Sequence, residues 1–87
     1  MSWGCETIKK FTAEELENIL DELDDEKYGI VLRAKGVVAS EGGKWLHFDH
    51  VPGEADVREG SAGVTGRLCV IGSKLDEKKL AELFGVN

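Results

Sequence analysis

Residues 30–39, Ile-Val-Leu-Arg-Ala-Lys-Gly-Val-Val-Ala, constrain the architecture of this chain more than any other stretch. The run is typical of a core β-strand, except that Arg33, Lys35 and Gly36 interrupt it. Charged side chains are costly to bury unless they are paired or face water. We therefore predict a strand over Ile30 to Ser40 with one solvent-exposed face, on which the cations either bind a ligand or form a salt bridge.

The residues before this strand predict a shorter strand and an amphipathic helix. A strand is indicated over Cys5 to Phe11. Thr12 and Glu15 then have capping-box spacing, which marks the start of a helix. Apolar residues recur at i, i+3, i+4 and i+7, so they share one helix face. They are Leu16, Ile19, Leu20 and Leu23.

Hairpin-connected strands and a second helix follow. Gly42 and Gly43 supply the positive φ angles of a tight turn, so a third strand is expected to pair with the second. The last strand candidate, Arg67 to Ile71, is apolar on both sides and is expected to be central, with both faces covered. The remaining elements are a strand over Lys44 to Val51, an edge strand over Glu54 to Arg58, and a helix that Asp76 caps and that carries Leu80, Leu83 and Phe84.

This order of elements predicts a single α+β domain over residues 1–87. The expected fold is a mostly antiparallel sheet of about four or five strands with two helices on one face, a two-layer sandwich. Because side chains alternate across a strand, Trp45, His47 and Asp49 are expected on the open face. Arg33 and Lys35 are expected beside them on the neighbouring strand.

Composition limits the partners and the compartment. The formal charge at pH 7 is −6, which disfavours nucleic acid and anionic membranes as partners. No apolar run approaches the roughly 20 residues of a membrane-spanning helix, and the N-terminal residues lack the pattern of a secretory signal. Cys5 and Cys69 are the only cysteines, and two widely separated thiols are typical of a reduced, cytoplasmic protein.

A cationic group is the first candidate for a site. Arg33 and Lys35, together with Arg67, offer guanidinium and ammonium donors that bind carboxylates or phosphates. The alternative is a structural role, in which the cations form cross-strand salt bridges. The acids within reach of such a bridge are Asp49, Glu54 and Asp56.

Trp45 is the second candidate, because an exposed tryptophan on an open sheet face is a common contact hot spot. The alternative is that its ring packs on the stems of the neighbouring cations. Cys5 and Cys69 are poor nucleophiles, since a catalytic thiol needs a base and an anion-binding site. The sequence also contains no phosphate-binding loop. We therefore expect no catalytic residue and no cofactor.

Metal binding at the segment His47-Phe48-Asp49-His50 is the alternative function. His47 and His50 have opposite parity on a strand, so only His47 and Asp49 converge. Two ligands do not form a tight zinc site, which takes four. This hypothesis is therefore a small metal-binding protein that uses His47 and Asp49 with Cys5 or His50.

Several short motifs resemble the C-terminal domain of the CobW family of GTPases. The segment Leu32-Arg33-Ala34-Lys35-Gly36-Val37 is similar to the RxKG strand of that domain. Arg67 and the Val70-Ile71-Gly72 element follow in the same order, and Leu75-Asp76 leads into the final helix. The similarity covers nearly the whole chain.

The resemblance implies a non-catalytic accessory or protein-interaction domain. CobW-like proteins join an N-terminal P-loop GTPase domain to this smaller domain, and they are linked to cobalamin biosynthesis and to metal insertion or trafficking. The nucleotide-binding half is absent from this sequence, so we expect an excised domain or fragment without GTPase activity of its own. The implied partners are a client protein or the GTPase domain of a parent protein, and the oligomeric state stays open.

Overall fold

A computed structural model of the chain describes residues 1–86. The five strands β1 to β5 span Ser2–Thr7, Ile30–Ala39, Trp45–Val51, Glu54–Glu59 and Gly66–Ser73. Helix α1, Ala13–Glu22, follows β1, and helix α2, Glu77–Phe84, follows β5. Two short 3₁₀ helices, Glu26–Tyr28 and Glu41–Gly43, precede β2 and β3.

The strands form one antiparallel sheet in the order β1-β5-β2-β3-β4. The α+β fold predicted from the order of elements is therefore confirmed. Within residues 1–86, no helix is long and apolar enough to cross a membrane.

The predicted helix starts are confirmed, because the capping side chains make the expected hydrogen bonds. The Thr12 hydroxyl accepts from the backbone N–H of Glu15 at 3.0 Å, and the Glu15 carboxylate accepts from the Thr12 N–H at 3.4 Å. Asp76 caps α2 by accepting from the Lys79 N–H at 3.0 Å, and Gly85 ends it in the left-handed conformation. Such caps satisfy amide groups that have no partner inside the helix.

The hydrophobic core lies between the helices and one face of the sheet. Phe48 of β3 and Trp3 of β1 contact Phe84 of α2, with ring centroids 6.3 and 5.9 Å from it. Burying a phenylalanine side chain stabilises a fold by about 1.5–3 kcal/mol. The contacts among these three rings are therefore a main source of the packing energy between α2 and the sheet. The core residues of α1 are Leu16, Ile19 and Leu20.

The first strand lies earlier in the chain than predicted. The expected strand over Cys5 to Phe11 is wrong in its bounds, because β1 ends at Thr7. Phe11 instead turns into the core at 1% exposure, and its backbone N–H donates to the Ala39 carbonyl at 2.9 Å. The chain therefore stops pairing with β5 after Thr7, and the Phe11 ring is buried in the core.

Strand β5 is central, but it is covered on one face and not on both. Its residues alternate between buried and more exposed positions, with Leu68 and Val70 in the core. Arg67, Cys69 and Ile71 lie on the opposite face. The prediction of a strand covered on both sides is therefore wrong, since both helices pack on the same face of the sheet.

Candidate functional site

The candidate site is the sheet face that carries no helix, which we call the open face. Strand register brings side chains from all five strands to this face. Arg33, Lys35 and Trp45 lie on it, as predicted from strand parity, and Arg67 of β5 lies on it as well. Their placement is confirmed, whereas their role in binding stays a prediction. The other open-face side chains that matter below are Glu6, His47, Asp49, Asp56, Arg58, Cys69 and Ile71.

A chain of ion pairs crosses the middle of the open face. Arg33 contacts Asp49 Oδ1 at 3.1 Å, and Arg58 contacts Asp49 Oδ2 at 3.1 Å. Arg58 also contacts Asp56 at 2.6 Å. Partial burial by itself would raise the pKa of Asp49, but hydrogen bonds from Arg33 and Arg58 hold it below its ordinary value. Arg33 therefore forms the cross-strand salt bridge that was the structural alternative.

Lys35 is left free by this arrangement. It lies opposite Asp49 in the register between β2 and β3, but the two arginines already occupy both Asp49 carboxylate oxygens. Within residues 1–86, Lys35 forms no ion pair. Arg67 has a partner, Glu6, at 3.7 Å, but both side chains are more than half exposed. Such exposed pairs contribute little to stability, so Lys35 and Arg67 stay available to a ligand.

A shallow groove of about 680 Å³ runs between these two cations. Its floor includes Cys69, which lies between Lys35 on β2 and Gly4 on β1. Gly4 has no side chain to fill the face, so a depression forms there. The groove also contacts Glu6. Cationic, acidic and apolar walls in one shallow groove suit a protein surface better than a small molecule, which binds in deeper and mostly apolar cavities.

Trp45 and His47 lie under the loop of residues 60–65. His47 Nε2 is 2.9 Å from the Ser61 carbonyl oxygen, to which the ring donates. A Cβ atom added at Gly63 would lie 3.5 Å from the Trp45 ring, so the loop backbone packs close to the indole. Trp45 is half-buried, and the expectation of an exposed tryptophan is corrected: the loop covers part of the ring. Within residues 1–86, the cation–π contacts occur at other rings, Phe11 and Tyr28.

The ligands of the metal hypothesis are not brought together. His47 and Asp49 lie on the open face, whereas His50 lies on the helix-covered face at 2% exposure. Its Nε2 is 3.3 Å from Asp24 Oδ1, although neither ring nitrogen has a hydrogen-bond partner of good geometry. Cys5 also packs toward the core, and burial raises the pKa of its thiol.

Strand alternation is the physical reason for this separation. It places Cys5 and His50 on the other side of the sheet from His47 and Asp49. The described part of the chain holds no group of three or more His, Cys, Asp or Glu side chains arranged to bind a metal ion. The predicted ligand set of His47 and Asp49 with Cys5 or His50 is therefore wrong.

An apolar patch at one end of the open face escaped sequence analysis. It consists of Ile30, Leu32, Val51 and Ile71, which are 58%, 57%, 41% and 39% exposed. A register shift between Val31 and Arg33 adds one residue to β2 relative to β5, so Leu32 and Arg33 both face outward between the buried Val31 and Ala34. The alternation of Ile30 and Leu32 with Val31 is a signal that could have indicated the patch, because adjacent residues of a strand point to opposite faces, so these three cannot all lie in the core.

Comparisons with known proteins agree with the motif-based resemblance. The family model described as "Cobalamin synthesis protein cobW C-terminal domain" matches residues 1–86. No curated protein matches the chain. The family match thus extends over the whole described chain, including the RxKG strand and the final helix.

Two solved structures share the fold. The chain is 22% identical to the Zn(II)-bound YjiA GTPase from E. coli, with a TM-score of 0.75 over 99% of this chain and 29% of that one. It is 21% identical to a Zn(II)-bound triple mutant of YjiA GTPase, with a TM-score of 0.78 over 97% of this chain and 28% of that one. At this identity the likeness shows the fold alone, and the chain spans less than a third of the YjiA chains. Because the family model covers residues 1–86, the chain belongs to the family of cobW C-terminal domains.

Proposed function

We propose that this chain is a non-catalytic accessory domain of a CobW-type protein, and that its open face docks on the GTPase domain of such a protein. Family membership supports the accessory role. The chain corresponds to 29% of the length of YjiA, which is called a GTPase. The rest of such a protein is therefore large enough to hold the domain that the open face contacts.

One observation carries the docking proposal: both helices pack on the same side of the sheet, and the other side carries no helix within residues 1–86. Exposed apolar patches rimmed by polar residues mark interaction sites. Here the apolar patch of Ile30, Leu32, Val51 and Ile71 borders the ion pairs of Arg33 and Asp49. That pattern matches a protein interface, which has an apolar centre and a polar rim.

The charges of the open face support a protein partner over nucleic acid. Asp49 and Asp56 neutralise Arg33 and Arg58, so few unpaired cations remain to contact phosphates. The free ammonium of Lys35 supplies one directional contact, suited to a carboxylate of the partner. At the family level, this docking would serve cobalamin biosynthesis or metal insertion and trafficking in the cytoplasm. This chain contributes recognition to that process, and bond-breaking chemistry belongs to another domain.

The experiment is calorimetric titration of the 87-residue chain into a separately expressed GTPase domain of a CobW-type protein from the same genome. We expect binding, and we expect Leu32→Asp and Lys35→Glu each to weaken it by about tenfold or more, as for central contact residues. Ile8→Asp and Lys79→Glu are matched controls, because both residues are exposed outside the open face.

Two outcomes would contradict the proposal. One is wild-type affinity for Leu32→Asp and Lys35→Glu in variants whose circular dichroism shows an intact fold. The other is the absence of binding between the wild-type chain and the GTPase domain, which would leave a separate client as the occupant of the open face.

A further inference from the structure

The two edges of the sheet are protected to different degrees. β1 and β4 are the edge strands. Four of the six residues of β4 are charged, at Glu54, Asp56, Arg58 and Glu59, and charges on an edge discourage pairing with another strand. β1 has the sequence Ser-Trp-Gly-Cys-Glu-Thr, in which Glu6 is the one charged residue.

The free hydrogen-bonding groups of β1 can be assigned from its pairing with β5. Met1 and Gly72 exchange both backbone bonds, at 2.9 and 3.0 Å. In an antiparallel pair such exchanges occur at alternate residues. The backbone N–H and C=O groups of Ser2, Gly4 and Glu6 therefore point away from β5, toward the side of β1 on which no strand pairs. All three residues are exposed.

We infer that β1 pairs with β1 of a second copy of this chain, antiparallel and centred on Gly4. This register is self-complementary, as a two-fold axis requires. Ser2 lies opposite Glu6 of the partner subunit, so the hydroxyl donates to the carboxylate. Gly4 lies opposite Gly4 of the partner subunit, where no side chain hinders the approach of the two backbones.

The same register also matches the helix-covered side of the sheet. Trp3 lies opposite Cys5 of the partner subunit, and both residues are half-buried in one copy and packed against the core. Pairing covers the remaining apolar surface of both side chains. Three outward-facing residues in each copy, each with one N–H and one C=O, make six hydrogen bonds between the copies. The result is a continuous sheet through two copies, with a small interface typical of weak association.

The dimer uses the edge of the sheet, whereas the proposed docking on a GTPase domain uses the open face. The two interactions are therefore separable. The Leu32→Asp variant, which is expected to weaken docking, is expected to dimerise as the wild type does, because β5 separates β2 from the β1 edge.

Sedimentation velocity of the 87-residue chain over a range of concentrations tests the inference. We expect a reversible monomer–dimer equilibrium. Ser2→Pro removes an outward N–H without touching a bond to β5, so it is expected to leave only monomer. Ala55→Pro is the matched control on the other edge. The Gly60 N–H donates to the Trp45 carbonyl at 3.1 Å, and the bonds between β3 and β4 recur at alternate residues, so the backbone N–H of Ala55 points away from β3 and has no bond to lose. The Ala55→Pro variant is expected to dimerise as the wild type does.

Two substitutions of opposite charge at Ser2 test the register even if the proline variant does not fold. Ser2→Glu places two carboxylates opposite each other at two symmetric positions, so we expect dimerisation about tenfold weaker than in wild type. Ser2→Lys faces Glu6 of the partner subunit and is expected to dimerise at least as tightly as wild type. A wild-type chain that stays monomeric at all concentrations would overturn the inference. So would equal dimerisation of Ser2→Glu and Ser2→Lys.

Discussion

At the scale of single residues, Asp49 organises the open face. Its two carboxylate oxygens accept from two arginines on different strands, Arg33 on β2 and Arg58 on β4. The side chain is 39% exposed, so solvent screens these pairs and each contributes modestly. Their structural effect is larger than their energy, because they hold two long side chains in place and occupy both oxygens of the acid that lies opposite Lys35.

The stability of the protein is expected to depend on Asp49 in acid. The folded pKa of Asp49 lies below its ordinary value of 3.8, so its contribution is full above that pH and is lost as the pH falls through the folded pKa. Asp49→Asn is therefore expected to lower the free energy of unfolding by about 0.5–1 kcal/mol at pH 7, and the difference from wild type is expected to vanish at lower pH. Urea denaturation at several pH values measures both.

Glu54→Gln is the control for this experiment, because that exposed carboxylate lies on the adjacent strand outside the ion-pair chain. It is expected to change the unfolding free energy little at any pH. A constant difference between Asp49→Asn and wild type down to the lowest pH would show that the ion pairs are not the cause.

At the scale of elements, the close approach of β2, β3 and β5 depends on a glycine. A Cβ atom added at Gly36 would lie 2.6 Å from the Phe48 ring and 2.6 Å from the Arg67 carbonyl oxygen. The ring fills the space that a side chain at position 36 would otherwise take. Phe48 is 1% exposed, so it cannot move aside without disturbing the core.

Gly36→Ala is therefore expected to destabilise the fold by about 1–3 kcal/mol, the usual range for forcing extra atoms into a packed core. Gly63→Ala is the matched control, because its added Cβ would meet Trp45 and Thr65 at ordinary contact distances of 3.4–3.5 Å. It is expected to stay within about 0.5 kcal/mol of wild type. Equal effects of the two substitutions on the denaturation midpoint would argue against a packing role for Gly36.

At the scale of the whole molecule, a single hydrophobic cluster joins the sheet to both helices. No element has a core of its own, so none is expected to unfold independently. The two tryptophans report on different parts of this unit. Trp3 packs toward the core near Phe84, and Trp45 lies on the open face under the loop of residues 60–65.

We expect one cooperative unfolding transition, as is usual for small single domains. The variants Trp3→Phe and Trp45→Phe each leave one fluorescent reporter. In each variant, the fluorescence midpoint in guanidinium chloride is expected to coincide with the midpoint from far-UV circular dichroism. An earlier fluorescence transition in Trp3→Phe, which retains Trp45, would instead show that the loop detaches before the core unfolds.

Local spacing in the sequence was enough to predict the helix caps and which side chains of β3 lie on the open face. Thr12 with Glu15, and Trp45 with His47 and Asp49, are short-range patterns whose geometry depends on neighbours within one turn or one strand. The alternation also separated His47 from His50 correctly. The same argument placed Arg33, Lys35 and Trp45 on one face, whereas the exposure of Arg67 became apparent only when both helices were seen to pack on the other face.

Features that depend on contacts between distant residues were settled by the tertiary structure. That the adjacent residues Leu32 and Arg33 both face outward comes from a register shift against β5, and the partial cover on Trp45 comes from the loop of residues 60–65. The division of Asp49 between two arginines, which frees Lys35, needs the register of three strands at once. Periodicity states which side chains share a face, but only the packing of strands and loops across the chain decides which of them meet and which remain open to a partner.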